Sequence, residues 1–417
     1  MPSPAIRFRR VASTSVLIAA VLASLGCSDD PSSPAEQEIT IGGLFSLTGN
    51  WASLGVASKA AMEIAVEDVN AYLANGNSGL HFTASIKDTK LDPPTALAGI
   101  TAFKESGVEI VIGPQSSAEV AAIKSYADVN GVLVASQSST AGSLAIAGDN
   151  IFRFTPSDTL EAVALVGLMK ADGIATIIPF WRNDAGNNGL QVATRALFGA
   201  SGTKSGVQYA ATQPDFTAAL ATLKTQVQQA ITERGATATV AVAHAGFDEV
   251  VDIFKAAAND PVLGSVRWYG TDGTAGTEPL RADATASAFA RKVNFWAPIP
   301  GVDREAADRW QPIATRIAAK AGGAPDAFGL AVYDAVWVTA QAYLAAGGRG
   351  NRPALKTAFV DAANNLYGAS GWTALNAAGD RKFGNFDFFA LSLTGTNSAW
   401  TLRAQYDTQR HVLTRMP

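Results

Sequence analysis

Two clusters of hydroxyl side chains stand out along the chain: Ser116 and Ser117, and then Ser136, Ser138, Ser139 and Thr140. The first follows Gly113-Pro114, a turn signal, and Ser116 has Glu119 three residues on, the spacing of a capping box at a helix start. A helix N-terminus presents free backbone N–H groups and the positive end of its dipole, so hydroxyls placed there suit an anionic group. A small carboxylate is the expected guest. Serines of this kind also serve as caps and turn formers without binding anything.

The elements that position these hydroxyls are legible on either side. Residues 108–112 (VEIVI) form a short apolar run, the mark of a strand buried on both faces. Val120, Ile123 and Ala127 then repeat at helical period, Asn130-Gly131 ends the helix, and 132–135 is a second buried strand. Both hydroxyl clusters therefore fall at the carboxyl ends of parallel strands, where open α/β sheets bind ligands. Residues 39–140 spell β-α-β-α-β-α-β. After an extended segment, IFRFTP at 151–156, the alternation restarts and runs to a strand over 293–296. Helices follow at 305–321, 327–345 and 353–363, and the tail over 386–391 and 400–406 is strand-like. This order predicts an α/β protein with two doubly wound parallel-sheet lobes. Three hinge crossings are expected, near Pro156, Ala297 and Phe388. One lobe takes residues 39–156 and 298–387, the other 157–297 and 388–417. A cleft between two such lobes is a preferred ligand site, and closure about hinges traps what it binds.

Of 417 residues, 48% are hydrophobic and only 16% charged, with a formal net charge of −4. No basic face is available for nucleic acid. Residues 1–26 read as an export signal: Arg7, Arg9 and Arg10 precede an apolar stretch at 16–25 too short to span a bilayer. Ser24-Leu25-Gly26-Cys27 resembles the bacterial lipoprotein signal, with Ser24 where that signal prefers leucine. Cys27 is the one cysteine of the chain, so it has no disulfide partner within it and is the expected lipidation site. Residues 27–38 make a polar, Pro/Ser-rich tether. The protein is expected outside the cytoplasm, anchored to a bacterial membrane through its lipid.

From residue 39 to 406 the chain resembles the type I periplasmic solute-binding proteins of ABC importers, in the leucine/isoleucine/valine-binding branch. FSLTGNWASLG at 45–55, IGPQSS at 112–117, SQSST at 136–140, IFRFTPSD at 151–158 and AFGLAVYDAVWVTAQAYLAAG at 327–347 carry the resemblance. It implies a small amino-acid-like ligand, no cofactor and no metal, and importer membrane subunits as partners. By the resemblance, Ser117, with Ser116 beside it, holds the ligand carboxylate, and Ser138, Ser139 and Thr140 supply the second strand end. Asp272, in the GTDG turn where relatives often carry glutamate, meets the ammonium. Leu54 lines the side-chain pocket. The second-lobe aromatic falls at Gly246 or Phe247, so a family tyrosine is missing or replaced. Trp181 and Arg182, after a strand over 175–180, depart from the branched-chain pattern. Arg182 is placed either to bind a second acidic group or on the surface. A non-amino-acid carboxylate, amide or aromatic solute, or a sensing role beside a signalling receptor, stay open as alternatives.

An enzyme is disfavoured. Ser117 with His244 is the one conceivable nucleophilic pair; no third group orients it, and no GxSxG, P-loop, strand-borne GxGxxG or zinc-spaced cluster occurs.

Overall fold

The computed structural model describes residues 37–76 and 78–416. The export signal, Cys27 and the tether up to residue 36 lie outside the described residues.

Strands and helices alternate from the start: β1 (Gln37–Phe45), α1 (Ala52–Ala74), β2 (Leu80–Asp88), α2 (Pro93–Glu105), β3 (Ile110–Ile112), α3 (Ser117–Asn130), β4 (Leu133–Ser136) and β5 (Ile151–Arg153). They build a five-stranded sheet in the order β2-β1-β3-β4-β5, parallel throughout. The two-residue period of a strand sends neighbouring side chains to opposite faces. Ile110 and Ile112 therefore join α1 in one core, while Val111 joins α2 and α3 in another. Burial on both faces is why these strands read as unbroken apolar runs. Residues 151–153, expected as part of a crossing, instead pair with Val134–Ser136 as an edge strand.

The second sheet gathers α4 (Asp158–Ala171), β6 (Thr176–Asn183), α5 (Ala185–Phe198), β7 (Val207–Ala210), α6 (Thr217–Arg234), β8 (Val240–Ala245), α7 (Val250–Ala257), β9 (Arg267–Tyr269), α8 (Glu278–Ala282), α9 (Ala284–Lys292) and β10 (Trp296–Pro300). The chain then returns to the first sheet. Helices α10 (Ala307–Ala321), α11 (Ala327–Ala346) and α12 (Arg352–Asn365) pack Ile317, Val336 and Phe359 into the core that holds Ile39 and Ile41. A separate small hairpin, β11 (Tyr367–Gly368) with β12 (Gly371–Trp372), precedes the final antiparallel strands β13 (Phe386–Thr394), β14 (Asn397–Asp407) and β15 (Val412–Arg415). The eight-stranded order is β15-β14-β13-β10-β9-β8-β6-β7.

The crossings near Ala297 and Phe388 are displaced. Helix α9 continues to Lys292, and Asn294 turns the chain with φ 50°, so β10 starts at Trp296 rather than ending there. Ala297 pairs with Phe389, and Pro298 with Phe388, all within the second sheet. The chain leaves that sheet only after Pro300 and re-enters it at Phe386. The two passages are tied together where Gly301 N–H donates to the Asn385 carbonyl at 2.7 Å. The first passage lies between β5 and α4.

Candidate functional site

The hydroxyl clusters meet where β3 and β4 end. Ser116 caps α3: its Oγ accepts from Glu119 N–H, and Glu119 Oε2 takes both the Ser116 N–H at 2.9 Å and its hydroxyl at 2.6 Å. Burial raises the Glu119 carboxyl above its ordinary value. Ser136 donates to the Pro114 carbonyl at 2.6 Å and Ser138 to that of Gln115 at 3.0 Å. Ser117 Oγ accepts from Thr140 N–H at 3.2 Å and Ala141 N–H at 3.1 Å. A hydroxyl has two acceptor positions and one proton, so that proton points to Ser139 Oγ, 3.0 Å away. Much of this cluster is spent on fixing the 138–141 loop against the start of α3.

A wall of carboxyls faces them. Asp158 opens α4, and its N–H donates to the Thr140 carbonyl at 3.0 Å, joining the two sides. The residue is 2% exposed, and neither carboxyl oxygen has a hydrogen-bond partner. Burial pushes Asp158 up to about 8; the charges of Asp272 and Asp184 add to this, while the Thr140 hydroxyl and Arg153 oppose it. One turn on, fully buried Glu161 is held well above the usual carboxylate range by burial and by the charges of Asp272 and Asp158. Glu161 Oε1 accepts the Asp272 N–H at 3.0 Å. Burial pushes Asp272 itself up to about 7, with Asp326 adding. Asp184 caps α5 by accepting the Asn187 N–H at 2.9 Å, and pairs with Arg182 Nε at 2.8 Å.

Between these walls lies a cavity that is partly open to solvent. Trp51, Ser116, Ser117, Ser138 and Thr140 line it from the side of the first sheet. Asp158, Asp184, Gly186 and Asn187 line the opposite side, with Leu190, Phe247 and Asp272. No lysine, arginine or histidine is among these residues. Trp51 and Phe247 stack across the mouth with ring centroids 4.6 Å apart.

Of the residues expected at the site, Ser116, Ser117, Ser138, Thr140, Phe247 and Asp272 converge on this cavity. Ser139 sits behind Ser117. Leu54 is buried in the apolar cluster shared with Trp51 and Phe247 rather than in the lining. Trp181 and Arg182 are also outside the lining, because β6 extends through them to Asn183. Trp181 Nε1–H donates to Asn188 at 2.9 Å. Arg182 is neither on the surface nor free for an acidic ligand. It is 8% exposed, is committed to Asp184 and Glu249, and stacks on Phe247. The Ser117–His244 pair is not formed: His244 Nε2 meets the Tyr209 hydroxyl at 3.1 Å, and burial lowers the imidazole to about 4, leaving it neutral. Trp51, Asp158, Asp184, Asn187 and Leu190 escaped the sequence reading. Asp158 and Asp184 each stand where a helix begins, and an acid there reads first as a cap.

The family described as the receptor family ligand binding region matches residues 57–394. An uncharacterised protein of Methanocaldococcus jannaschii is 28% identical over 392 residues, covering 89% of this chain and 90% of that protein. Among solved structures, the branched-chain amino acid transporter substrate-binding protein LivJ of Streptococcus pneumoniae, in complex with isoleucine, superposes with a TM-score of 0.70 at 22% identity, over 88% of this chain and 99% of that one. A solute-binding protein of an R. palustris ABC transporter, in complex with benzoate, gives 0.68 at 19% identity, over 88% and 96%.

Proposed function

The chain belongs to the receptor family with this ligand-binding region and has the fold of the type I periplasmic binding proteins, and on that premise we propose that it captures a small amino-acid-like solute between its two lobes and delivers it to an ABC importer. It works outside the cytoplasm, tethered by a lipid on Cys27. One observation carries the reading: a single cavity sets hydroxyls and a helix start on one wall against carboxyls on the other. The N–H groups at the start of α3 and the Thr140 hydroxyl suit a carboxylate, and Asp272 suits an ammonium, so a zwitterion fits with its poles assigned. A benzoate-like ligand brings no cation for the acidic wall. The lobes meet in contacts that suit a closed form, since Asn50 Nδ2–H donates to Glu249 Oε2 at 2.6 Å and Asn50 Oδ1 accepts from Asp248 N–H at 2.9 Å.

Isothermal calorimetry of the purified protein, freed of bound ligand, against a panel of amino acids and benzoate tests this. At least one amino acid is expected to bind with micromolar or tighter affinity. Binding of benzoate but of no amino acid overturns the reading.

A further inference from the structure

Two contacts cross between the lobes beside the cavity. One is polar: the Asn50 amide donates to Glu249 Oε2 at 2.6 Å and accepts the Asp248 N–H at 2.9 Å. The other is the stack of Trp51 on Phe247. On the first-lobe side Asn50 is already set in place. Its Oδ1 also accepts the Trp51 N–H at 3.0 Å, and its carbonyl accepts the Ser46 hydroxyl at 2.9 Å. On the second-lobe side both contacts rest on one residue of β6. The Arg182 guanidinium lies over the Phe247 ring, 5.4 Å from its centroid, and its Nη1 stands 3.6 Å from Glu249 Oε1. Its Nε–H donates to Asp184 Oδ2 at 2.8 Å, in the wall of the ligand cavity. A planar guanidinium can turn its edges to two carboxylates and its face to a ring at the same time, which an ammonium cannot. Glu249 and Asp184 repel one another, and Arg182 opposes that repulsion.

We propose that Arg182 is a positioning residue for ligand capture: it holds Glu249 and Phe247 ready to meet Asn50 and Trp51, and the Asn50–Glu249 clasp so formed retains the solute. Arg182 is outside the cavity lining and so acts without touching the ligand. This rests on the two-lobe capture given above, and not on which amino acid is captured. A clasp made once the solute is inside slows its exit far more than it speeds its entry.

The test uses the intact protein with L-isoleucine as the probe. Asn50→Asp sets a carboxylate against Glu249 Oε2. It is expected to speed L-isoleucine dissociation about tenfold to a hundredfold, the range for losing one hydrogen bond to a charged group, with association within about threefold. The radius of gyration without ligand, read by small-angle scattering, is expected to grow. Adding Glu249→Gln to Asn50→Asp restores an amide–carboxylate bond across the cleft and is expected to recover both values. Arg182→Lys keeps the charge but loses the fork and the face, and is expected to reproduce the effect of Asn50→Ala. The two together are expected to be no worse than the more severe single variant, as for residues acting through one contact. Losses that simply add overturn the positioning role of Arg182. Parent-like dissociation and radius in Asn50→Asp overturn the clasp. Should thermal melts show Arg182→Lys to be unfolded, the Asn50→Asp and Glu249→Gln pair decides the clasp without it. If the parent binds no amino acid, the amino-acid reading falls, and the radii of the same variants still decide the clasp.

Discussion

Trp51 and Phe247 stack across the cleft with ring centroids 4.6 Å apart and planes 26° from parallel. Trp51 comes from the loop before α1 and Phe247 from the loop after β8. Arg182 lies over Phe247 as well, 5.4 Å from its centroid. Trp51 has φ 56°, a left-handed backbone that a bulky side chain adopts only under strain. Packing against Phe247 and Phe328 holds it there. Such a ring pair contributes roughly 0.5–1.5 kcal/mol beyond its buried area. Phe247→Ala is therefore expected to weaken ligand binding about twofold to tenfold and to enlarge the radius of gyration in small-angle scattering without ligand. An unchanged radius in the variant means that the rings do not hold the lobes closed.

The buried acids make stability depend on pH in a definite direction. Asp158 is raised from 3.8 to about 8 and Asp272 to about 7, in both cases chiefly by burial. The folded chain thus keeps protons that the unfolded chain has released, and stability falls as pH rises through these values. His244, lowered from 6.5 to about 4 by burial, acts oppositely, but only below about pH 6.5. Between pH 6.5 and 8 the acids act alone. Glu161, Asp184 and Asp326 face the same cluster and shift in the same sense. The melting temperature of the ligand-free protein is expected to drop across that window, and Asp158→Asn to flatten the drop. A cationic ligand draws the acids into their charged forms, so its affinity rises with pH over the same range. A flat melting profile for the parent protein contradicts the charge assignment.

Much of the hydroxyl wall was readable because its determinants are local. The Ser116–Glu119 cap spans three residues, and the strands around it are short apolar runs whose burial leaves no other reading. Of the acidic wall only Asp272 was readable, through the family resemblance of its GTDG turn. Asp158 and Asp184 join it only through the way α4, α5 and the turn after β9 face the first sheet, and no local pattern encodes that approach. Arg182 went astray for the same reason, since its partners Glu249 and Phe247 arrive from the loop after β8. The crossing expected near Ala297 was misplaced by Asn294, an asparagine in the left-handed region whose turn moves the following strand along the chain.

Gly189 in α5 gives the Asp158 carboxyl its room. A Cβ at that position would stand 2.7 Å from Asp158 Oδ2. Glycine to alanine in a helix ordinarily stabilises by about 0.5–1 kcal/mol. Here Gly189→Ala must displace the carboxyl, so we expect weaker ligand binding with a melting temperature that changes little. Unchanged affinity for the preferred ligand places Asp158 outside the binding contact.

Anchoring is testable apart from the cleft. Cys27→Ser removes the proposed lipid attachment, and one acyl chain alone binds membranes only marginally. The variant is expected in the soluble fraction of fractionated cells. Retention in the membrane fraction equal to that of the parent rules out anchoring through Cys27.

Asp272→Ala separates a binding role from a structural one. Asp272 is half-buried beside Glu161, Asp158 and Asp326, so in the empty cavity its charge is a burden on the fold. Removing it relieves that crowding, and the ligand-free melting temperature is expected to rise. With ligand the sign reverses. An ammonium at Asp272 loses its partner, at a cost of about 2–5 kcal/mol, or roughly thirtyfold to several-thousandfold in affinity. Thr140→Ala, on the hydroxyl wall, removes a hydrogen bond to a charged group and costs about 1.5–3 kcal/mol without the rise in ligand-free stability. Calorimetry and thermal melts on both variants read these two quantities independently. A residue that only supports the turn after β9 would lose stability and affinity together when replaced. Opposite movement of the two at Asp272 is the signature of a carboxylate kept at the expense of the fold for its ligand.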